Sequence, residues 1–242
     1  PSYADRHKQL PYFVLAARLL ADAGIRILIH GIAGEGAATT PKALAAIGVA
    51  ASESADDAAR QLDAGNLAYL PLAAFCPQLL SLFALRPVLG LRSPANTFAR
   101  MLNPFGARHQ MQGVFHPNYL ALHRAAAECL GQPFLAAFKG GGGEVQRNPE
   151  KPCHAVTLID GAPGEQDWPA LTANARYPWR EETLDPALLR DLWTGVRDDA
   201  APTAAVVGTA AMALRLLGRA GTADEADAAA REMWRDRRKK LP

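Results

Sequence analysis

The sequence has few cysteines, and their arrangement argues against two common ways of stabilising a small protein. Cys76, Cys129 and Cys153 are far apart and odd in number, and none of them belongs to a CxxC pair. Disulfide frameworks and structural zinc sites depend on paired, regularly spaced cysteines. We therefore expect neither feature, and a reducing, cytoplasmic compartment.

The sequence also lacks a long apolar run. A membrane helix requires about 20 consecutive apolar residues, and Arg18, Asp22 and Arg26 interrupt the first apolar stretch. That stretch has no small-residue cleavage site either. We therefore expect no signal peptide and no membrane partner.

Neither sign of charge dominates the chain, because 26 Lys and Arg residues face 24 Asp and Glu residues, for a formal net charge of +2. This balance does not by itself indicate a polyanion as partner. Basic residues are nevertheless concentrated between Arg231 and Lys240. That cluster is either a solvated helix end that complements the helix dipole or a contact for an anionic partner.

The chain does contain a repeated alternation of helical and strand-like segments. Strands are predicted at 25–30, 67–71, 112–115, 133–139 and 154–160, with helices before and between the first four. Residues 161–184 show no clear periodicity, and three helices are expected at roughly 185–196, 203–219 and 223–240. This order predicts an α/β fold, with a mainly parallel sheet flanked by helices and with C-terminal helices, in a single domain over residues 1–242.

A spaced set of polar residues and glycines occupies the stretch 89–117. Its members are Arg92, Ser93, Asn96, Asn103, Pro104, Gly113, Val114, Phe115 and Pro117. This set resembles a signature of the anthranilate phosphoribosyltransferase family, and His30-Gly31 falls where that family has lysine-histidine-glycine after a strand. The resemblance implies a nucleoside phosphorylase/phosphoribosyltransferase-like fold, and a small N-terminal helical domain that is missing from this chain.

Several positions depart from what the family's reaction requires. Where the enzymes carry a GTGGD-type loop, this chain reads PSYADRHKQLP, with no glycine between Pro1 and Pro11. Such glycines let backbone N–H groups surround a diphosphate, which side chains cannot reproduce. The family's acidic magnesium pair is represented mainly by Glu144, and one carboxylate makes a weak Mg²⁺ site. We therefore expect no anthranilate phosphoribosyltransferase activity, and assign no catalytic residue, metal or cofactor.

The runs LNPFGARHQMQGVFHP and KGGGGEVQRNP look like the YbiB-like branch of the family. That resemblance implies a homodimer formed through helical domains and binding of nucleic acid, with single strands favoured. The chain begins at Pro1 without a methionine. We expect it to be a fragment of a longer protein whose N-terminal helical segment is absent.

Two loops and one strand end supply the candidate binding residues. Arg92 falls where the family's enzymes hold the anthranilate carboxylate, and its planar fork suits a phosphate equally well. The glycine loop (residues 139–152) is net basic, and its four consecutive glycines predict mobility in the absence of a ligand. The predicted ligand- or phosphate-binding residues are His30, Gly31, Arg92, Ser93, Asn96, Arg100, Arg108, Lys139, Gly140, Gly141 and Arg147.

Three hypotheses remain open at this point. The favoured one is a nucleic-acid-binding protein that contacts phosphates without sequence preference. The second is a pentosyl transferase that acts on a nitrogenous acceptor near Arg92 and His30, and the third is a domain retained only for dimerisation. Aromatic residues stack on bases under the first hypothesis or belong to the core, and the candidates are Tyr3, Tyr12, Trp168, Tyr177 and Trp179.

Overall fold

The structure, a computed structural model, describes residues 1–3, 8–90, 93–172, 183–239 and 241. Within these ranges the strands are β1 (Ile27–Gly31), β2 (Leu67–Pro71), β3 (His109–Val114), β4 (Phe134–Lys139), β5 (Cys153–Ile159) and β6 (Ala162–Trp168). The helices are α1 (Phe13–Asp22), α2 (Thr40–Ala46), α3 (Ala55–Gly65), α4 (Leu72–Phe75), α5 (Pro77–Phe83), α6 (Arg86–Leu89), α7 (Ala95–Phe98), α8 (Leu120–Cys129), α9 (Ala187–Thr194), α10 (Ala200–Leu216) and α11 (Ala223–Asp236). Short 3₁₀ turns occur at Ala99–Met101, Pro117–Tyr119 and Gly141–Gly143. No helix in the described part of the chain is long and apolar enough to cross a membrane.

The described strands form two separate sheets. β1 and β2 make a parallel pair, and the second sheet has the order β3-β4-β5-β6. β3 and β4 are parallel, whereas β5 and β6 are added antiparallel. The predicted α/β class with flanking and C-terminal helices is confirmed. The parallel arrangement holds for the first four strands, and the sheet becomes mixed beyond them.

The sequence pattern predicts β5 but not β6, the second strand of the hairpin that they form. Asp160 and Gly161 both have positive φ, at 51° and 78°, and Ile159 pairs with Ala162 across them. Two left-handed residues between paired strands are typical of a type I′ turn, for which Asp-Gly is a favoured sequence. β6 lies at the sheet edge and carries Pro163 and Gly164, which obscure the strand pattern that the turn would otherwise have indicated.

Local signals set several helix boundaries. The Ser54 hydroxyl accepts a hydrogen bond from the Asp57 N–H at the start of α3, and Asn66 ends that helix in the left-handed conformation. A capping box begins α11, because the Thr222 and Glu225 side chains each accept from the other residue's backbone N–H. These contacts satisfy backbone donors that the first turn of a helix leaves without intrahelical partners.

The largest core lies between α10, α1 and the sheets. α10 is buried along most of its length, and it packs against α1 and α11. Gly208 makes room on its surface, since a Cβ there would lie 2.6 Å from the Leu171 side chain and 3.0 Å from Arg147 Cδ. An arginine is therefore part of this core.

Arg147 is fully buried and links the glycine loop to two C-terminal helices. Its guanidinium donates to the Asp227 carboxylate of α11 at 2.9 Å and lies 4.8 Å above the Trp168 ring. Its backbone N–H donates to the Thr209 hydroxyl of α10 at 3.0 Å. Burial lowers the pKa of Arg147 and Asp227 opposes this shift, so the arginine keeps its charge. The prediction that Arg147 faces a ligand is corrected, because its side chain is directed into the core.

Residues 1–3 extend along the open side of β1. The Ser2 N–H donates to the His30 carbonyl at 2.7 Å, and the Ile32 N–H donates to the Ser2 carbonyl at 3.1 Å. A Cβ at Gly31 would lie 1.9 Å from that Ser2 carbonyl oxygen. Gly31 is therefore required for the close approach of two backbone segments.

Replacing Arg147 by methionine should destabilise the protein by about 3–5 kcal/mol, because the Asp227 carboxylate would stay buried without its partner. Urea unfolding followed by circular dichroism measures this loss. The double variant R147M/D227L should recover part of it, since no unpaired charge remains. R235M, at an exposed pair with Glu232, is the control and should behave like the parent. A single variant as stable as the parent would contradict the assigned role.

Replacing Gly31 by alanine should destabilise the protein by about 1–3 kcal/mol, as overpacking of a closed site does. Gly65→Ala is the matched control, because a Cβ there meets nothing within 4 Å. Thermal unfolding of both variants checks the comparison. Equal melting temperatures would show that Ser2 and β1 are not packed as described.

Candidate functional site at the carboxyl edge of the strands

The segments that follow β1, β3 and β4 meet at one edge of the fold. The Gly140 N–H donates to the Val114 carbonyl at 3.1 Å, and a Cβ at Gly113 would lie 2.2 Å from the Glu144 carbonyl oxygen. This is the carboxyl edge of the parallel strands, where open α/β folds bind their ligands. His30 and Lys139, two of the predicted site residues, stand at it.

A buried polar cluster fills the inner part of this edge, and we call it the edge cluster. Its members are Tyr3, His30, Tyr69, Arg100 and Glu144. The Tyr3 hydroxyl and His30 Nδ1 are 2.8 Å apart, and the Arg100 guanidinium donates to the Asn96 carbonyl. Arg100 is 7% exposed and Glu144 is 5% exposed. A cation and a carboxyl side chain are thus both buried in this cluster, and they interact electrostatically.

Burial sets the protonation states within the edge cluster. It lowers the pKa of His30 well below its ordinary value, so the imidazole is neutral near pH 7. Burial also raises the pKa values of Tyr3 and Tyr69, an effect to which Glu144 adds. The pKa of Arg100 is lowered by burial, whereas Glu144 raises it. The cluster therefore presents protonated phenols, a neutral imidazole and a guanidinium that interacts with Glu144.

The glycine loop is packed against the protein in the structure, and its mobility without a ligand stays a prediction. The Gly141 N–H donates to the Gln146 carbonyl at 2.7 Å, and the Gly143 N–H donates to the Gly140 carbonyl at 3.0 Å. A Cβ at Gly140 would lie 1.6 Å from the Glu144 carbonyl oxygen. The glycines therefore serve close backbone approach. In this conformation the N–H groups of Gly140 and Gly141, both predicted to bind phosphate, donate to protein carbonyls.

The predicted basic groove is not assembled as a single surface. Arg108 is exposed at the start of β3, 5.7 Å above the Phe134 ring, whereas Lys139 is exposed at the end of β4. At about 3.3 Å per residue, the length of β3 separates them by about 20 Å. Arg100 and Arg147 are buried. Of the four arginine and lysine side chains predicted within the described ranges, Lys139 alone is exposed at the carboxyl edge.

The remaining predicted residues have mixed placements. Ser93 Oγ is buried and has no hydrogen-bond partner among the described residues, while the Asn96 carbonyl accepts from Arg100. Arg92 lies outside the described residues, as do Tyr177, Trp179 and Lys240. The basic C-terminal stretch is partly structural, because the Arg237 guanidinium lies 3.6 Å from the Trp234 ring centre and donates to the Trp193 carbonyl.

An exposed set of aromatic and basic side chains lies at the end of β4 and in the segment that follows β3, and we call it the edge surface. It consists of Phe115, His116, Tyr119 and Lys139. Phe115 is 42% exposed and Tyr119 is 43% exposed, and the Phe115 and His116 rings are 4.7 Å apart in an edge-to-face arrangement. The aromatics considered from sequence were different ones, and Tyr3, Tyr12 and Trp168 are buried. The signal in the sequence that could have identified Phe115 as a site residue is its position directly after a buried strand.

The described residues contain no group of three or more histidine, cysteine, aspartate or glutamate side chains that could hold a metal ion. Glu144 is the carboxylate nearest to the place where the resemblance puts an acidic pair. It interacts electrostatically with Arg100, Tyr3 and Tyr69.

Comparison with known proteins identifies relatives, although no family model matches the chain. The uncharacterized protein YbiB of Escherichia coli K12 is 30% identical over 164 residues, which are 66% of this chain and 50% of YbiB. Anthranilate phosphoribosyltransferase of Laribacter hongkongensis is 27% identical over 191 residues, 78% of this chain and 51% of the enzyme. The chain thus spans about half the length of these curated relatives.

Solved structures agree with this relationship. Anthranilate phosphoribosyltransferase from Thermus thermophilus superposes with a TM-score of 0.79 at 23% identity, covering 96% of this chain and 71% of the enzyme chain. The Saccharomyces cerevisiae enzyme in complex with 4-fluoroanthranilate gives 0.77 at 13% identity, covering 96% and 68%. These two comparisons establish the fold. The sequence relatives, with YbiB at 30% identity, support an anthranilate phosphoribosyltransferase-like, YbiB-like family for the chain.

Proposed function

We propose that this chain binds single-stranded nucleic acid along the edge surface and does not transfer phosphoribosyl groups. The observation that carries the proposal is the exposure of Phe115 and Tyr119 in the segment that follows β3, whose last residue Val114 pairs with the exposed Lys139, at the edge where folds of this class bind ligands. Aromatic platforms combined with basic side chains are typical of sequence-tolerant binding to single strands.

Each component of the edge surface has a distinct physical role in this proposal. The faces of Phe115 and Tyr119 stack on bases, which contributes about 1–3 kcal/mol per base. Lys139 contacts the phosphate backbone, so that binding releases counterions and weakens as salt rises. Neither contact reads a base edge, and binding is therefore independent of sequence.

The packing of the inner edge supports the second half of the proposal. A diphosphate needs backbone donors and cationic groups that face it. The Gly140 and Gly141 N–H groups donate to protein carbonyls, and the Arg100 guanidinium is buried beside Glu144. Binding of phosphoribosyl diphosphate would require these contacts to be broken first.

Replacing Lys139 by methionine should weaken binding to a fluorescent oligothymidylate and reduce the salt dependence by about 0.7 in the log–log slope, one phosphate contact on a single strand. Fluorescence anisotropy titrations between about 50 and 200 mM salt measure both quantities. R219M, at an exposed arginine that follows α10, is the matched control and should leave the slope unchanged. A loss that follows R108M instead of K139M would place the nucleic acid at the opposite edge and contradict the proposal.

Replacing Phe115 by leucine should cost about 1–3 kcal/mol of binding free energy without a change in salt slope, because a stacking contact carries no charge. The same anisotropy titrations measure it. Leu122→Ala, an exposed apolar residue on α8, controls for general loss of surface hydrophobicity. Unchanged affinity for F115L would remove the stacking platform from the proposal.

A second candidate function follows from the relatives, several of which are named anthranilate phosphoribosyltransferases. The observation in its favour is that His30, Arg100 and Glu144 gather at the carboxyl edge. In this proposal the three side chains bind a pentosyl diphosphate, and the pentosyl group is transferred to the nitrogen of an acceptor with release of diphosphate. Isothermal titration calorimetry with phosphoribosyl diphosphate and Mg²⁺ separates the two candidates. We expect no heat of binding, and a saturable signal that is lost in E144Q would favour the transferase.

We also propose that the whole protein is a homodimer, as the resemblance implies. A fitting surface is the apolar face of α5 and α6, where Val88 is 82% exposed beside the exposed Leu85 and Leu89. Light scattering of the whole protein, compared with a V88D variant, measures the state of assembly.

A further inference from the structure

A series of side-chain hydrogen bonds crosses one face of β3 and ends on α8, and we call it the glutamine–histidine network. Gln110 and Gln112 lie two positions apart on β3 and therefore on the same face of the strand. Gln110 Nε2 donates to the Leu102 carbonyl at 2.8 Å, and Gln112 Nε2 donates to Gln110 Oε1 at 2.9 Å. Gln112 Oε1 lies 2.6 Å from Nδ1 of His123, and these two side chains are each 1% exposed.

One backbone carbonyl sets the direction of every hydrogen bond in this network. The Leu102 carbonyl can only accept, so Gln110 turns its amide nitrogen towards it and its Oε1 towards Gln112. Gln112 then donates to Gln110 through Nε2 and accepts from His123 through Oε1. The His123 ring therefore carries its hydrogen on Nδ1. Burial, together with the charge of Arg100, lowers the pKa of His123 to about 4, so the ring is neutral near pH 7.

The network joins the two elements that flank the aromatic part of the edge surface. β3 ends at Val114 and α8 begins at Leu120, and residues 115–119 connect them. Every residue of this connection is exposed, and Phe115 and Tyr119 are its first and last residues. The directions of the two rings consequently depend on how β3 and α8 are held to each other.

Two kinds of contact hold α8 against the sheet, and they constrain it differently. Leu120 and Val114 belong to one apolar cluster, and apolar burial has no preferred direction. A hydrogen bond weakens steeply when its angle departs from linearity, so the bond between Gln112 and His123 also fixes the rotation of α8 about its axis. Tyr119 has helical backbone angles and lies four positions before His123. Residues four apart share a helix face, and the rotation that places His123 therefore places Tyr119.

We propose that His123 is a positioning residue for nucleic-acid binding, because its hydrogen bond to Gln112 holds α8 in the rotation that presents Tyr119 beside Phe115 as one stacking platform. This assignment rests on the proposed function, since it concerns the same edge surface. His123 is buried beneath that surface and acts through the helix, without contact to the nucleic acid.

A histidine that only stabilises the fold is the competing role, and the two roles respond differently to paired substitutions. Loss of the His123 donor leaves Gln112 Oε1 buried without a partner, which lowers stability under either role. Replacing both partners by apolar side chains is nearly neutral for stability. It does not restore the directional constraint on α8. Stability and binding should therefore separate in the double replacement.

The test uses the variants H123L, H123N and H123L/Q112L. H123N keeps a donor, because the amide nitrogen of an asparagine lies close to the place of Nδ1 in a histidine. Leu122→Ala, on the exposed side of the same helix, is the control. Nitrogen-15 NMR of the His123 ring, proton NMR of the Tyr119 ring, thermal unfolding and anisotropy titrations with oligothymidylate are measured. If H123L does not fold, H123N and the double variant make the same comparison.

We expect the parent to carry its His123 hydrogen on Nδ1. The Tyr119 resonances should shift in H123L and in H123L/Q112L, and they should stay in place in H123N and in the control. Affinity for oligothymidylate should fall about fivefold or more in H123L and in the double variant, as when one base loses its stacking partner. H123N should bind like the parent, and the double variant should recover the melting temperature but not the affinity.

Affinity that recovers together with the melting temperature in H123L/Q112L would overturn the proposal, because His123 would then act through stability alone. A hydrogen on Nε2 of His123, or Tyr119 resonances unchanged in H123L, would overturn it as well. Failure of the proposed function alone has a different signature. The parent would then not bind oligothymidylate, while the Tyr119 resonances would still shift in H123L and not in H123N.

Discussion

Arg147 anchors the glycine loop to the C-terminal helices α10 and α11. The shape of the carboxyl edge depends on that anchor. Its guanidinium binds Asp227 and lies above the Trp168 ring, while its backbone is bonded to Thr209. The loop is consequently fixed at both ends, by β4 and by Arg147. The Glu144 backbone lies against Gly113 and Gly140, and its buried carboxyl side chain interacts electrostatically with Arg100. The buried Arg147–Asp227 pair therefore contributes to the shape of the carboxyl edge through the glycine loop.

The same anchor explains how a fold can retain its architecture while its polar residues are used differently. In an open site, a guanidinium and a carboxylate at strand ends are exposed and make their interactions with the bound ligand. In this chain the corresponding edge is filled by Tyr3, His30 and Arg100, whose hydrogen bonds are made within the protein. Among the described residues, the accessible groups at this edge include the Phe115 and Tyr119 rings and the Lys139 side chain.

Sequence was sufficient for most of the fold and for little of the site. β2 was predicted at its observed bounds, and the C-terminal helices were found within a few residues, because buried strands and capped helices leave local patterns. The burial of Arg147 could not be predicted, since its partner Asp227 is 80 positions away and a basic residue in a polar loop normally faces solvent. The separation of Arg108 from Lys139 was predictable in principle. One precedes a strand and the other ends its parallel neighbour, so strand direction alone places them at opposite edges.

The hairpin of β5 and β6 contributes to protection of the protein against self-association through its sheet edges. β6 is the outer strand of its sheet, and it carries Pro163, Glu165 and Asp167. A proline and regularly spaced acidic side chains discourage another chain from pairing with an exposed edge. The inner edges of β1 and β3, which face an apolar cavity of about 340 Å³ lined by Ile29 and Met111, have no such protection. Any condition that leaves those inner edges uncovered should therefore make the protein prone to aggregate, whereas the outer edge stays inert.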